Sequence, residues 1–490
     1  MRGAAAARRG AGRRLWHPRP DPGCADRAAG RRGQPDGDGG HRGRAARRGV
    51  GPGANRGGGR QVRRADGRRA AILGGNRIPF ARRDREYSRA SNQDMLTAAL
   101  DGLISRFGLQ GQRLGEVAAG GVLKRSRDFN LARECVLGSA LSPETPAYDV
   151  QQACGTGLET TIHVANKIAL GQIESGIAGG VDTTSDAPIE INDDLRRLLL
   201  ELNRARSTSA RLALLGRVRP GQLVPAIPRN EEPRTGLSMG EHQAISTQRW
   251  GIARAEQDEL AVESHQRLVA AYERGFFEDL VTPFLGLERD GNLRPDASIE
   301  KLAQLDPVFG NGAEATMTAG NSTPLTDGAS AVLLASDEWA AEHSLPVLAH
   351  LVDAETGAVD FVHGDDGLLT APLYAVPRLL DRNGLSLQDF DFYEIHEAFA
   401  SQILMTLKAW EDRAFCAERL GLDEPLGSIE REKLNVNGSS LAAGHPFGAT
   451  GGRIVATLAK LLFERGSGHG LISICAAGGQ GVAAILERDA

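Results

Sequence analysis

Short apolar segments alternate with segments of helical periodicity along most of this chain, and the alternation begins twice. The first run contains the apolar segments 70–75 and 147–150 and the helix-like segment 158–170. The second run opens with the strand-like segment 347–352, which is followed by the helix-like segment 373–383. Because apolar strands that alternate with amphipathic helices build layered sheets, the sequence predicts an α/β fold. The remaining predicted strands are 117–122, 175–182, 329–336, 390–395, 471–476 and 482–486, and the remaining predicted helices are 92–104, 128–137, 257–274 and 399–410.

The segment 188–312 interrupts the first run and differs from it in composition. Its charge is higher, and proline and glycine punctuate its loops. The composition therefore marks residues 188–312 as a segment of different character within the first run.

The first 69 residues differ from the rest of the chain in charge. They hold 19 Arg and 5 Asp, without Lys or Glu, a net charge of +14; the 490-residue chain carries −4, so the remainder carries −18. Residues 1–68 have too few large apolar side chains to form a core, so we expect a disordered extension rich in Arg, Gly and Ala. Such an arm can bind nucleic acid or anionic membranes, and its acid-free start resembles a transit peptide. We favour a third interpretation, an extension without function.

Several classes of protein do not fit this sequence. No apolar stretch is long enough to predict a membrane span. Five scattered cysteines without a CxxC pair argue against a disulfide framework and favour a reducing compartment. Zinc-type spacing, HExxH and Walker motifs are absent from the sequence, so we predict no metal and no permanently bound cofactor. The GxGxxA match at 479–484 leads into an apolar strand, which argues against dinucleotide binding.

Two cysteines and one histidine lie in glycine-rich settings that suit a reactive site. Cys154 falls between a predicted strand and a predicted helix, and a helix N-terminus favours a thiolate. His445 lies on a glycine-rich turn, and Cys475 ends an apolar strand next to glycines. A thiolate attacks thioesters readily. A neutral imidazole can accept the proton of the thiol and so produce that thiolate. These residues predict covalent acyl transfer, although a buried structural cysteine is the alternative for either sulfur.

The chain resembles the thiolases, which make or cleave 3-ketoacyl-CoA, in four blocks that occur in the family's order within residues 69–488. The blocks are QACGTGL (152–158), GNSTPLTDGA (320–329), HEAFA (396–400), and GHPFGATG (444–451) followed by CAAGGQG (475–481). Many thiolases carry asparagine at the position of His396, and the His-Glu-Ala-Phe form resembles the β-subunit of the fatty-acid oxidation complex. Thr156 stands where serine is common and keeps the hydroxyl group.

The resemblance implies the fold and its division. Two duplicated βαβαβαββ halves are expected in a five-layer α-β-α-β-α arrangement. The N-terminal half would span residues 69–338, including an inserted loop domain at about 188–312, and the C-terminal half would span 339–490. It also implies an acyltransferase that cleaves 3-ketoacyl-CoA to acyl-CoA and acetyl-CoA, or runs the reverse Claisen condensation, through an acyl-Cys154 intermediate.

The same resemblance implies a role for each site residue. His445 would remove the Cys154 proton, and Cys475 would serve as the second acid/base at C2 of the acyl-CoA. His396 would donate a hydrogen bond to a thioester oxygen.

Two more residues support this set. The backbone N–H of Ala477 would join that of Cys154 in an oxyanion hole, and Glu397 would orient its neighbours. CoA and acyl-CoA are the expected substrates. Seven arginines between 196 and 219 could meet CoA phosphates, although solvated helix faces are the simpler interpretation, so the CoA-contacting residues stay unknown.

Two alternative functions remain open at the level of sequence. A decarboxylating ketoacyl synthase could use Cys154, His396 and His445, but it needs no second acid/base cysteine, so Cys475 argues against it. A polyanion binder acting through the basic arm leaves the four blocks unexplained, so nucleic acid is not the expected partner.

The expected assembly is a homodimer or homotetramer, or a β-oxidation complex with a hydratase/dehydrogenase subunit. The expected location is cytoplasmic, or mitochondrial if residues 1–68 act as a transit segment.

Overall fold

The computed structural model describes residues 67–312 and 314–490, and the predictions made for residues 1–66 lie outside this range. The described strands are β1 (Ala70–Arg77), β2 (Ala81–Arg82), β3 (Glu116–Ala119), β4 (Ala147–Asp149), β5 (Ser175–Asp182), β6 (Pro307–Phe309), β7 (Met317–Thr318), β8 (Thr326–Ala335), β9 (Ala349–Ala358), β10 (Phe392–Ile395), β11 (Gly468–Ala476) and β12 (Gln480–Arg488).

The helices of the described part are α1 (Asn92–Phe107), α2 (Leu131–Gly138), α3 (Thr156–Ala169), α4 (Asp193–Arg204), α5 (Thr208–Leu215), α6 (Met239–Arg249), α7 (Arg254–Glu273), α8 (Ile299–Ala303), α9 (Asp337–Glu342), α10 (Pro372–Asn383), α11 (Ala400–Glu411), α12 (Arg413–Phe415), α13 (Ser440–Ala443) and α14 (Thr450–Arg465). Short 3₁₀ turns occupy Ser126–Asp128, Pro220–Leu223, Leu387–Asp389, Arg431–Lys433 and Phe447–Ala449, and Cys416–Leu420 is a π-helical turn.

Local sequence signals explain where the first helix begins and ends. Ser91 and Asp94 form a reciprocal capping box that satisfies two free N–H groups at the start of α1. The helix ends at Gly108, whose φ of 65° lies in the left-handed region that glycine adopts without strain. The side chains of Leu96, Leu100 and four other apolar residues of α1 are buried on one face.

Ten strands join in one mixed sheet, in the order β10-β11-β12-β9-β1-β8-β5-β3-β4, with β2 pairing with the start of β8. In the first half β3, β4 and β5 are parallel, and β8 is antiparallel to both β5 and β1. In the second half β10 and β11 are parallel, and β12 is antiparallel to β11 and β9. A parallel bridge between Tyr393 and Leu434 takes the place that β4 has in the first half.

The two halves therefore repeat one topology, as the resemblance implies. Residues 70–72 of β1 pair with 349–351 of β9 in antiparallel register and join the halves.

Side-chain alternation along the strands separates the layers, because successive residues of a strand point to opposite faces. On β8, Ala331 and Leu333 belong to the apolar cluster that contains α1 and α2, whereas Val332 belongs to the cluster with α3 and α14. On β12, Ala484 faces α3 and α14, whereas Ile485 faces α10 and α11. The predicted five-layer α-β-α-β-α fold is thus confirmed, with α3 and α14 as the central layer.

The two central helices approach each other at glycines. A Cβ atom on Gly451 would lie 2.2 Å from the backbone nitrogen of Leu158, and one on Gly157 would lie 2.7 Å from the backbone of Gly448 and of Gly452. Because no side chain fits in this space, the glycines set the distance between α3 and α14.

Residues 183–325 connect β5 to β8 and carry α4 to α8 with the small β6/β7 pair. Within this stretch α7 packs against α11 and α13, which follow the strands of the second half. The bounds predicted for the inserted loop domain, and those of the two halves, stay predictions.

Most predicted elements are present, with two instructive differences. The strand predicted at 117–122 ends at Ala119 and is followed by Gly120, where a Cβ would lie 1.7 Å from the carbonyl oxygen of Val150. No helix is predicted after the 444–451 turn, yet α14 begins at Thr450. No helix in the described part of the chain is long and apolar enough to cross a membrane.

Candidate active site

Cys154 lies in a tight turn between β4 and α3. The preceding residue, Ala153, has a φ of 46°, a left-handed conformation that is costly for a residue with a side chain. Thr156 holds the turn, since its hydroxyl accepts the Gln152 N–H at 2.8 Å and donates to the Ala153 carbonyl at 2.7 Å. The threonine found in place of serine therefore keeps both hydrogen bonds of this turn.

His445 lies in the corresponding turn before α14, and two residues of the first half hold it. Its backbone N–H donates to the Thr326 hydroxyl at 2.7 Å. Three residues later, the Gly448 N–H donates to the Asp182 carboxylate at 2.8 Å. The turn is therefore fixed to strands β5 and β8, beside Cys154.

The side chains of Cys154 and His445 are in direct contact. The Nε2 atom of His445 lies 3.0 Å from Cys154 Sγ, and its Nδ1 atom lies 2.6 Å from Thr450 Oγ1. A neutral thiol donating to Nε2 requires the proton of the neutral ring to sit on Nδ1, where the threonine oxygen accepts it. The imidazole is thus oriented as a proton acceptor for the sulfur.

Burial sets the protonation states of this pair. It raises the pKa of the Cys154 thiol to about 12. The N–H groups of Ala477 and of Cys154 itself donate to the sulfur and act in the opposite direction, lowering this pKa. Burial, with the nearby charge of Arg453, lowers the pKa of His445 to about 3. Burial thus opposes the thiolate that a helix N-terminus favours, and thiol and imidazole are both neutral in the resting site.

Cys475 lies at the end of β11. Its side chain is buried, and burial raises its thiol pKa; a thiolate at Cys154 would raise that pKa further. The following turn brings the Ala477 N–H to the Cys154 sulfur. Glu232 accepts the N–H of Gly478 at 2.9 Å and holds this turn from the 183–325 connection.

His396 follows β10 and lies beside His445. The two ring centroids are 4.1 Å apart, and the His396 ring is fully buried. The Cys154 sulfur and one ring nitrogen from each histidine lie within 4.8 Å of one another. The Nδ1 atom of His396 lies 2.9 Å from Ser440 Oγ, whereas its Nε2 atom has no hydrogen-bond partner among the described residues. Burial keeps its pKa well below the usual value, so the ring is neutral.

Glu397, the residue after His396, is held by three hydrogen bonds. Its carboxylate accepts hydrogen bonds from Asn435 Nδ2 at 2.8 Å, Ser264 Oγ at 2.8 Å and the Leu441 N–H at 3.0 Å. It thereby connects the segment after β10 to α7 and α13. Burial raises the pKa of this carboxyl group, and the three donors act in the opposite direction.

Sequence reasoning missed the residues that hold the two histidines. Thr450 is the last residue of the GHPFGAT block, and its hydroxyl contacts His445 Nδ1. Its position five residues after the candidate base could have indicated this contact from the sequence. Arg453 is a charge in the apolar part of α14 and is 4 % exposed. Ser440 and Asp182 carried no comparable signal, because their partners are distant in sequence.

The arginine-rich stretch lies elsewhere in the 183–325 connection. Arg197, Arg217 and Arg219 line an open cavity of about 480 Å³ together with Asp194 and Glu201. None of the cysteines or histidines of the site lines this cavity.

Known protein families match nearly all of the described chain. Residues 70–338 match the thiolase N-terminal domain, and residues 345–488 match the thiolase C-terminal domain. The chain belongs to the thiolase family. This thiolase is 38 % identical over 427 residues to the 3-ketoacyl-CoA thiolases of Yersinia pestis and Yersinia pseudotuberculosis, a match that covers 86 % of this chain and 97 % of each relative.

Solved structures agree with that assignment. The Bacillus anthracis acetyl-CoA acetyltransferase superimposes with a TM-score of 0.71 at 29 % identity, covering 86 % of this thiolase and 98 % of that chain. Human mitochondrial 3-ketoacyl-CoA thiolase in complex with CoA superimposes with a TM-score of 0.71 at 28 % identity, covering 86 % and 98 %. The predicted family and the acyltransferase class are therefore confirmed.

Proposed function

We propose that this thiolase cleaves 3-ketoacyl-CoA with free CoA, giving acetyl-CoA and a shortened acyl-CoA, and that it also runs the reverse condensation. The observation that carries the proposal is the 3.0 Å contact between Cys154 Sγ and His445 Nε2, with the Ala477 N–H donating to the same sulfur. The relatives named 3-ketoacyl-CoA thiolase and the CoA complex of the human neighbour support the substrate class.

In the first half-reaction Cys154 attacks C3 of the substrate. Its proton passes to His445 Nε2 while the sulfur–carbon bond forms, because thiol and imidazole both start neutral. The C2–C3 bond then breaks, and the enolate of acetyl-CoA takes a proton at C2 from Cys475. The products are acetyl-CoA and a thioester of the shortened acyl group on Cys154.

In the second half-reaction CoA removes the acyl group. The Cys475 thiolate takes the proton of the CoA thiol, and the CoA sulfur attacks the acyl carbon. The bond to Cys154 breaks, and His445 returns its proton to the released Cys154 sulfur. All three side chains regain their starting protonation states, so the cycle balances.

Two sets of hydrogen-bond donors stabilise the negative oxygens. The N–H groups of Cys154 and Ala477 converge at the sulfur, where the oxygen of an acyl group on Cys154 would lie. The unpartnered Nε2 of His396, beside His445, would donate to the thioester oxygen of the enolate. Glu397 holds the segment that carries His396 and contacts no reacting atom.

The family assignment does not favour the ketoacyl-synthase alternative, and the position of Cys475 argues against it. A decarboxylating synthase forms its carbanion by losing CO₂ and needs no acid/base at C2. The His-Glu-Ala-Phe form supports a place in fatty-acid oxidation. The assembly stays a prediction: a homodimer or homotetramer, or a complex with a hydratase/dehydrogenase subunit, which light scattering would test. A cytoplasmic location also stays a prediction, which cell fractionation would test.

The experiment is a substrate panel of acetoacetyl-CoA and longer 3-ketoacyl-CoAs with free CoA, which follows loss of the 3-ketoacyl thioester. We expect turnover by the full-length protein and none by Cys154→Ala. The matched control is Cys135→Ala, since Cys135 is buried on α2 away from the site. Decarboxylation of malonyl-CoA without cleavage of any 3-ketoacyl-CoA would overturn the proposal.

A further inference from the structure

A buried polar chain lies behind His396. Arg453 on α14 donates from Nη2 to Ser440 Oγ at 3.0 Å and to Ser439 Oγ at 3.1 Å. Ser440 Oγ in turn lies 2.9 Å from His396 Nδ1. Arg453 is 4 % exposed and the other three residues are fully buried, so water does not compete for these hydrogen bonds.

The donors and acceptors of this chain determine where the protons lie. Arginine only donates, so Ser440 Oγ accepts from Arg453 and keeps its own proton to give. Among the described residues, His396 Nδ1 is the acceptor within reach of that proton. A hydroxyl that accepts from a guanidinium is polarised and becomes a stronger donor. Ser440 therefore donates to Nδ1, and the proton of the neutral His396 ring sits on Nε2.

We propose that Arg453 is a positioning residue for the thiolase reaction: acting through Ser440, it fixes His396 as the Nε2–H tautomer that donates to the substrate oxygen. This inference rests on the proposed function. It adds two residues that touch no reacting atom but set which nitrogen of His396 can donate.

The neighbouring His445 shows the contrast. Its Nδ1 faces Thr450 Oγ1 at 2.6 Å, and no cation donates to that threonine hydroxyl in the described structure. Its Nε2 accepts from the Cys154 thiol, so its own proton sits on Nδ1. Two imidazoles with centroids 4.1 Å apart thus carry opposite tautomers, one as acceptor for sulfur and one as donor for oxygen.

Glu394 completes the surroundings of Arg453. It lies on β10, two residues before His396. Its carboxyl group is fully buried and has no hydrogen-bond partner within residues 67–312 and 314–490. Burial raises its pKa to about 8, although the charge of Arg453 acts in the opposite direction. Burial is the main cause that lowers the pKa of His396 and of His445, and the charge of Arg453 acts in the same direction.

The test compares two adjacent serines that bind the same guanidinium. Ser440→Ala removes the link to His396, whereas Ser439→Ala removes an Arg453 hydrogen bond of nearly the same length without touching the histidine. We expect Ser440→Ala to lower kcat for 3-ketoacyl-CoA cleavage about tenfold or more, with KM for CoA nearly unchanged. Ser439→Ala should stay within about twofold of wild type. Equal losses in the two variants would overturn the proposal.

Two further readouts separate positioning from folding. Acylation of Cys154 by a saturated acyl-CoA should continue in Ser440→Ala, since the Cys154–His445 pair is intact. If Ser440→Ala were not acylated while the wild type is active, the positioning role would be contradicted. The proposed function would stand, because it rests on the activity of the wild type. In a His396→Ala background, Ser440→Ala should lower kcat little further. If Ser440 acts only through His396, the effects of the two substitutions are not additive.

Nitrogen-15 NMR of histidine-labelled protein then tests the tautomer directly, with His396→Asn assigning the resonance. We expect Nε2–H in the wild type and a shifted Nδ1 resonance in Ser440→Ala. An Nδ1–H tautomer of His396 in the wild type would refute the inference. This measurement uses the wild-type protein, so it does not depend on whether Arg453→Lys or Arg453→Met folds.

Discussion

Cys154 and His445 occupy corresponding places in the two halves of the fold, each in the turn before a helix of the central layer. Cys154 comes two residues before α3, and His445 comes five residues before α14. Their side chains meet at 3.0 Å because the glycines between α3 and α14 let the two helices approach. The reactive pair is thus built by the duplication, and neither half contains it alone.

The first prediction concerns the covalent intermediate. Incubation with an acyl-CoA in the absence of free CoA should add the mass of one acyl group to the peptide that contains Cys154. The reason is that, among the cysteines of the described part of the chain, only Cys154 combines a contacting base with two converging N–H donors. Peptide mass spectrometry measures the increment. Stable label on Cys475 with Cys154 unmodified would contradict the assignment of roles.

The second prediction separates the two cysteines by half-reaction. Cys475→Ala should still exchange acyl groups between CoA molecules through Cys154, because this exchange breaks no C2–C3 bond and His445 alone can carry the proton between Cys154 and the CoA sulfur. Cleavage and formation of the C2–C3 bond should fall by about 10²-fold or more, the usual scale for a lost acid/base group. Radiolabelled CoA exchange and 3-ketoacyl-CoA cleavage measure the two activities. If both fall equally, Cys475 serves only the packing of β11.

Sequence alone predicted the alternation of strands and helices and the residues that meet at the site. The match between predicted and observed strands is close where a whole strand is buried, as in β1 and β5, because burial leaves a continuous apolar run. The helix α14 escaped prediction because it opens with Gly451 and Gly452, which lower helix propensity and are explained only by the contact with α3.

The protonation states could not be predicted from sequence. The position of Cys154 before a helix is visible in the sequence, but two groups that contact its sulfur, the His445 ring and the Ala477 N–H, lie more than 290 positions away. The chain from Arg453 through Ser440 to His396 likewise depends on α13 and α14 lying behind β10. Local patterns predict which groups carry the chemistry, and the packing of distant segments sets their charge.

The third prediction follows from the raised pKa of Cys154. Because that pKa is raised from its usual value to about 12, the thiolate fraction should rise about tenfold per pH unit throughout the range from pH 6 to pH 9. The rate of inactivation by iodoacetamide should rise with the same slope and without a plateau. The inactivation rate is measured from the activity that remains in samples taken at successive times. Acyl-CoA should protect the enzyme, which shows that the modified residue lies in the active site. A rate that is already constant below pH 7 would show a resting thiolate.

The fourth prediction tests the close contact of the central helices. Gly451→Ala would place its Cβ 2.2 Å from the Leu158 nitrogen, so the helices must separate. We expect a loss of roughly 1–3 kcal/mol in the free energy of unfolding, the usual cost of overpacking, together with lower activity. The control is Gly138→Ala at the end of α2, where the nearest atom to the new Cβ is 3.8 Å away. Denaturant titration of both variants measures the difference, and equal stabilities would refute it.

The last prediction concerns inhibition by zinc. The sulfur of Cys154 and one nitrogen each from His396 and His445 lie within 4.8 Å of one another, a set of ligands that suits Zn²⁺ with a fourth position open. Zn²⁺ should therefore inhibit cleavage reversibly, and EDTA should restore it. Mg²⁺ should not inhibit, because it prefers oxygen ligands. His396→Asn provides the matched control: it removes one imidazole but keeps an amide donor at the position, so it should lose zinc sensitivity while retaining measurable turnover. Equal zinc sensitivity in the wild type and in His396→Asn would place the inhibitory ion elsewhere on the protein.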